Sequence, residues 1–217
     1  MIMSSLISHI KLSIEKAENL ESNITPEVLE IEGPSDVKTR HFYNNLCSMD
    51  DTRYLAIDNI TEECVCSALS NNSISCITIG DWSDECMELD PDDKFDRPKY
   101  MLNLEKYSNN CTYNYINVKW QGSDVEPLFK DRGRFNVYTN YSSYTDKSVH
   151  RESLKFFLEG LSDEFIYIVN NWNESGLKES ILENISDNNL EISYQNESFN
   201  GLCIFVLNQP ILADDDF

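Results

Sequence analysis

From Ser35 onward the chain alternates between short apolar runs and longer amphipathic stretches, and this rhythm most constrains its fold. The runs "RYLAI" (53–57), "ISCITIG" (74–80), "YNYINV" (113–118), "FNVYTN" (135–140), "EFIYIVN" (164–170), "LEISYQ" (190–195) and "LCIFVL" (202–207) have the length and apolar content of strands. Helical stretches separate them: "SDVKTRHFYNNLCSM" (35–49) with Ser35 as its N-cap, "EECVCSALSNN" (62–72), "DRPKYMLNLEKYSNN" (96–110) with Arg97-Pro98 in its first turn, "DKSVHRESLKFFLEGLS" (146–162) and "ESGLKESILENISD" (174–187). The segment 123–133 reads as a loop or a short helix. Repeated βα units predict an α/β fold with a mostly parallel sheet covered by helices on both faces. The last two strands are joined only by "NESFNG" (196–201), so they must run antiparallel.

A helix precedes this domain. Leu6, Ile7, Ile10, Ile14 and Ala17 recur at helical spacing over 3–20, while Lys11, Glu15, Lys16 and Glu18 fall on the other side. Pro26, Gly33 and Pro34 then break the pattern. The expected organisation is a helical arm and linker over 1–32, a main domain over 33–209 and an acidic tail over 210–217. The arm is read as packing on its own domain or as docking a partner or a second copy.

Charge excludes whole classes of partner. With 17 Lys and Arg against 38 Asp and Glu, the formal net charge is -21. A chain so acidic cannot neutralise phosphates, so neither nucleic acid nor an anionic membrane surface is an expected partner. No run of eighteen apolar residues predicts a membrane span, and the start of the chain lacks the positive n-region of a signal peptide. Seven cysteines without a CxxC pair read as reduced core thiols, with Cys64-Val65-Cys66 an incomplete metal half-site. The expected setting is the cytoplasm of a host cell, or a virion. The acidic run 84–96 lacks EF-hand ligand spacing and reads as a solvated loop. The Tyr-rich segment 137–146 reads as a contact surface for other proteins.

In a fold of this class the loops after the strands "RYLAI", "ISCITI", "FNVY" and "FIYIV" are where chemistry belongs. The first, in "YLAIDNITEECVCSAL" (54–69), carries Asp58, Asn59, Thr61, Glu62 and Glu63 where a cofactor loop normally carries glycines.

The ordered segments "GPSDVKTRHFYNNLCSM", "RYLAI", "IGDWSD", "DEFIYIVNNWN" and "NGLCIFVLN" resemble the class I S-adenosylmethionine-dependent methyltransferases of cyanophages and other large viruses, from Gly33 to Asn208. The resemblance implies a Rossmann-like methyltransferase sheet of seven strands, the last antiparallel. It also implies where a cofactor would lie. The family's strand carboxylate falls on Ala56, and its two loop glycines fall on Asp58 and Glu62. The ribose-binding carboxylate falls on Gly80, with Asp81 one position later. An acidic, histidine-containing stretch of the family becomes Thr139 to Tyr144, and a pair of aspartates becomes Asn170 and Asn171 before Trp172.

Glycine lets a ligand lie against the backbone, and a carboxylate there adds bulk and charge. Four altered loops therefore lead to the expectation of a non-catalytic, methyltransferase-like structural or interaction protein, such as a capsid or tail component of a virion. On that expectation no residue is catalytic, no metal or cofactor is bound, and the cleft at Ala56, Asp58, Glu62, Gly80, Asp81, Thr139, Asn170 and Asn171 is a vestige. Its partners would be copies of itself or other virion proteins, met through the N-terminal helix or the Tyr-rich segment. The alternatives are an S-adenosylmethionine-dependent methyltransferase with a rewired site using Asp58 or Asp81, and a small-ligand sensor using the same cleft.

Overall fold

The computed structural model describes residues 4–19, 28, 36–57, 62–80, 104–117, 133–140 and 153–210. In chain order the elements are α1 (Ser5–Glu18), α2 (Val37–Leu46), β1 (Arg53–Ile57), α3 (Glu62–Leu69), β2 (Ser75–Gly80), β3 (Thr112–Asn117), β4 (Phe135–Asn140), β5 (Leu161–Val169), α4 (Leu177–Asp187), β6 (Glu191–Asn196) and β7 (Cys203–Asn208). Residues 104–107 and 153–157 are also helical, and the latter run into a 3-10 turn at Leu158–Gly160.

The strands form a seven-stranded sheet in the order β3-β2-β1-β4-β5-β7-β6. The pairings β3–β2, β2–β1, β1–β4 and β4–β5 are parallel, and β7 runs antiparallel to both of its neighbours. The order reverses between β1 and β4. Chain leaving β1 steps outward to β2 and β3, while chain leaving β4 steps outward the other way. Such a reversal opens a crevice at the carboxyl ends of the two strands.

Period-two alternation divides each central strand between two cores. Tyr54 and Ala56 of β1, Ile166 and Ile168 of β5, and Ile204 and Val206 of β7 join one cluster with α1, α2 and α3. Leu55 and Ile57, Phe165, Tyr167 and Val169, and Cys203, Phe205 and Leu207 join the other with 153–157 and α4. Both faces being covered explains why these strands read as continuous apolar runs. On the second face a row of rings crosses the sheet: Tyr138 stacks on Tyr167 at 5.1 Å, Tyr167 on Phe205 at 6.1 Å, and Trp172 meets Phe205 edge-on at 5.7 Å.

Helix α1 shares the first core through Leu6, Ile10 and Ala17. His9 Nε2 lies 3.1 Å and 3.0 Å from the carbonyls of Asn45 and Leu46, so the ring donates to carbonyls at the end of α2. Helices α2 and α3 are joined by Asn44, whose amide donates to Ser67 O and Ser70 O, both at 2.7 Å.

Several boundaries differ from the sequence reading, three of them for a visible physical reason. The cap of α2 is Asp36, whose carboxylate accepts from Lys38 N–H at 2.7 Å, and not Ser35. Two residues able to cap stand side by side there, and only geometry selects between them. The helix expected to run to Ser162 is helical over 153–157, tightens into the 3-10 turn and gives way to β5 at Leu161. Gln209 Nε2 secures that junction, lying 3.0, 2.9 and 3.2 Å from the carbonyls of Leu158, Leu161 and Ser162. Helix 174–187 starts later than read, at Leu177, after Gly176 at φ 81°.

Candidate functional site

The carboxyl ends of β1, β4 and β5 lie side by side, and Ala56, Thr139, Asn170 and Asn171 fall along them. Ala56 is a fully buried member of β1. Gly80 is the last residue of β2. Thr139 lies inside β4, buried, and shares a hydrogen bond of 2.9 Å with the Tyr54 hydroxyl across the β1–β4 junction. Glu62 opens α3, and the next residue, Glu63, is buried in its first turn. Asp58, Asp81, Trp82, the acidic run 84–96, Tyr141 to Tyr144 and the tail 211–217 lie outside the described residues.

The end of β4 is closed by its own contacts. Asn140 Nδ2 donates to Ser153 Oγ at 2.8 Å, and Tyr138 Oη donates to the same oxygen at 3.3 Å. Neither side chain is left to face a ligand there.

The end of β5 is open. A pocket of about 360 Å³ lies between the loop after β5, the β6–β7 turn and the first turn of α2, and its walls include Asp36, Thr39, Asn170, Asn171, Asn173 and Asn200. Asn200 ties two of these elements together, its Nδ2 lying 2.9 Å from both Asp36 Oδ1 and Thr39 Oγ1. Burial pushes the Asp36 carboxyl upward. The amide of Asn200, the backbone N–H groups of Lys38 and Thr39 and the nearby Lys38 charge outweigh it, and hold the group below the usual carboxylate range. Asp36 is therefore an anion at neutral pH. Among the described residues, Asn170 Nδ2 is buried with no hydrogen-bond partner.

Two backbone features shape the walls. Asn171 has φ 56°, and Asn200 and Gly201 have φ 52° and 74°. The last two are the centre of a turn closed by Leu202 N–H to Phe199 O at 2.9 Å, with both central residues left-handed as in the turn that suits a two-residue hairpin. The loop after β5 is pinned to that turn by Trp172 N–H to Gly201 O at 3.0 Å. Trp172 itself is buried, its ring nitrogen donating to Glu197 at 2.9 Å. Lys178, 2.6 Å from the same carboxylate, holds the Glu197 pKa below its ordinary value.

The structure thus brings Asn170 and Asn171 into one pocket and leaves Ala56 and Thr139 in packed strand. Asp36, Thr39 and Asn200 were not singled out as site residues. The Asn200-Gly201 pair carries a signal for a tight hairpin, but nothing in a turn motif says that its amide lines a cavity. Among the described residues no three His, Cys, Asp or Glu side chains gather as a metal site, and no helix is long and apolar enough to cross a membrane. Cys64 and Cys66 are both buried without a disulfide.

No family model matches the sequence, and no curated protein matches it. Solved structures do match the fold. A methyltransferase from Pyrococcus furiosus superposes with a TM-score of 0.55 at 11% identity, covering 94% of this chain and 100% of its own. An O-methyltransferase from Bacillus cereus, in complex with S-adenosylhomocysteine, gives 0.52 at 11% identity over 96% and 93%. A protein from Streptococcus mutans assigned to the S-adenosylmethionine-dependent methyltransferases gives 0.51 at 14% identity over 79% of this chain. The chain spans about half the length of that last protein, 48%. The fold is the Rossmann-like methyltransferase fold.

These neighbours overturn the expectation of a non-catalytic virion component. The structures sharing the sheet are methyltransferases, one of them holding the demethylated cofactor. At identities of 11–14% most loop residues differ between this chain and each neighbour. The alternative of a methyltransferase with a rewired site fits these neighbours better.

Proposed function

We propose that the protein is an S-adenosylmethionine-dependent methyltransferase with a rewired cofactor site. One observation carries the reading: the order β3-β2-β1-β4-β5-β7-β6 with β7 alone reversed, which places its crevice between β1 and β4. Support comes from the neighbours of the same fold, one named in complex with S-adenosylhomocysteine.

The donor set suits the cofactor. S-adenosylmethionine carries a sulfonium and an ammonium cation, and its ribose offers two hydroxyls. In sequence Asp58 follows β1 and Asp81 follows β2. These carboxylates would hold the ammonium group and the ribose hydroxyls. Gly80 ends β2 without a side chain. When bound, the cofactor supplies an electrophilic methyl group. The chain's own part is to hold the acceptor beside it, and β5, whose end borders the open pocket, lies about 10 Å from β1, two strand spacings across the sheet.

Calorimetry with S-adenosylmethionine and S-adenosylhomocysteine tests the reading. The expected result is saturable binding at one site per chain, with a raised melting temperature. At a hundred times the dissociation constant the gain in stability is about 2.7 kcal/mol. No heat and no thermal shift at millimolar cofactor would overturn it.

A further inference from the structure

We infer that the pocket at the carboxyl end of β5 binds a neutral polyhydroxylated ligand, a sugar or cyclic polyol, and presents one of its hydroxyls as the methyl acceptor. The inference rests on the methyltransferase reading for the second half of that statement and on the pocket alone for the first.

The chemistry of the walls selects the class. Four of the lining side chains, Asn170, Asn171, Asn173 and Asn200, are amides, and Thr39 adds a hydroxyl. An amide both donates and accepts, as a hydroxyl does, so adjoining amides match adjoining hydroxyls. Asn170 lines the pocket as a half-buried residue, and its amide nitrogen is shielded from solvent with no hydrogen-bond partner among the described residues. Among the described residues Asp36 is the one charged group in the lining, and it stays ionised because Asn200 and two backbone N–H groups stabilise the anion. On a chain of net charge -21 it disfavours an anionic ligand. No aromatic ring lines the pocket among the described residues. The aromatic side chains adjacent in sequence are packed away, Trp172 against Phe205 and held by Glu197, and Phe199 against Phe42. A planar aromatic acceptor would find no face to stack on. A volume of about 360 Å³ lies at the lower end of the range for small-molecule sites, roughly 300–1,000 Å³.

The walls are also preorganised. Asn200 is fixed by its two hydrogen bonds and by the left-handed turn, and the loop bearing Asn171 and Asn173 is pinned at Trp172. Ordering costs on binding are small when the partners already stand in place. Methylation of a hydroxyl held here forms a C–O bond as the S–CH₃ bond breaks. The electron pair stays on sulfur and the hydroxyl proton passes to water. Asp36 is a weak base with its lowered pKa, so its role is to bind and to exclude anions.

The test uses the full chain with probes of three kinds, followed through the Asn side-chain amide signals in NMR. The neutral probes are methyl glucoside, methyl galactoside, methyl mannoside and myo-inositol; the others are glucuronate and catechol. At least one neutral probe is expected to shift the Asn171 and Asn173 signals and to saturate, with glucuronate about tenfold weaker and catechol without effect. Asn171→Gly and Asn200→Gly remove an amide while keeping the left-handed backbone that glycine readily adopts. Each is expected to weaken the neutral ligand about five- to tenfold without loss of fold, as read from the melting temperature. The proposal fails if all four neutral probes are silent, if catechol or glucuronate binds more tightly, or if both glycine variants bind the neutral ligand as well as the parent. A parallel titration with S-adenosylmethionine separates the two readings. Cofactor binding with silent neutral probes overturns only the acceptor class. Polyol binding without cofactor binding overturns the methyltransferase reading and the acceptor role, and leaves the polyol pocket standing.

Discussion

The carboxyl ends of β4 and β5 are neighbours in the sheet and treat polar side chains in opposite ways. At β4, Thr139 turns to Tyr54 and Asn140 turns to Ser153, so the strand end is closed by internal hydrogen bonds. At β5, Asn170 has a buried amide nitrogen without a protein partner, and the amides around it line a cavity. Both ends are polar and uncharged, Thr139-Asn140 at one and Asn170-Asn171 at the other. Composition alone would rank them equally. What separates them is whether the chain itself supplies the partners.

The comparison breaks most visibly at the row of rings beneath both ends. Phe205 lies between Tyr167 and Trp172, fully buried. Phe205→Ala is expected to cost about 3–5 kcal/mol in urea unfolding, through lost burial and the cavity left behind. Loosening Trp172 should also blur the Asn171 and Asn173 amide signals while the Asn140 signal stays sharp. If all three respond alike, the two ends are one unit.

A smaller effect sharpens the closed end. Thr139→Val leaves the buried Tyr54 hydroxyl without its partner and is expected to cost about 1–3 kcal/mol. Adding Tyr54→Phe removes both halves, so the double variant should recover part of that loss. Strict additivity in the double-mutant cycle would show that the pair is not coupled.

The smallest effect belongs to the open end. Asp36→Ala removes a helix cap and is expected to cost about 1 kcal/mol, whereas Asp36→Asn retains a capping oxygen and costs less. The folded pKa of Asp36 lies below its unfolded value, so its contribution is present above the ordinary aspartate value near about 4 and is lost as pH falls through the lower folded value. Melting temperature against pH should fall off in that acid window for the parent and more shallowly for Asp36→Asn. Equal slopes would show that the carboxylate is not held by Asn200 in solution.

Much of the sheet was legible because burial on both faces writes a strand as an uninterrupted apolar run. "RYLAI" and "FNVYTN" coincide with β1 and β4 residue for residue. β5 was legible from Glu164 onward. Its first residues, Leu161 to Asp163, include two polar side chains at the less buried end of the strand, and Leu161 and Ser162 continue the helical pattern before them. Asn170 and Asn171 could be found because they follow a strand end where ligands bind. Asp36, Thr39 and Asn200 could not, because they come together only when α2 and the β6–β7 turn pack at the end of β5, 161 and 164 positions apart in sequence for the two pairs. A cap and a turn each explain their residues locally, so the sequence offers no leftover signal pointing to a cavity.

The reversed β7 sets an order in time. It is the last strand described, yet it lies between β5 and β6. On the ribosome a chain that has emerged only as far as Asn196 holds β5 with a bare edge, and β6 has nothing in the sheet to pair with. One hairpin, turning at Asn200-Gly201, fills both gaps in a single step. The same step delivers Asn200 to Asp36 and Thr39. The pocket thus forms only once β7 is in place, and the chain has no binding competence there before its sheet is closed.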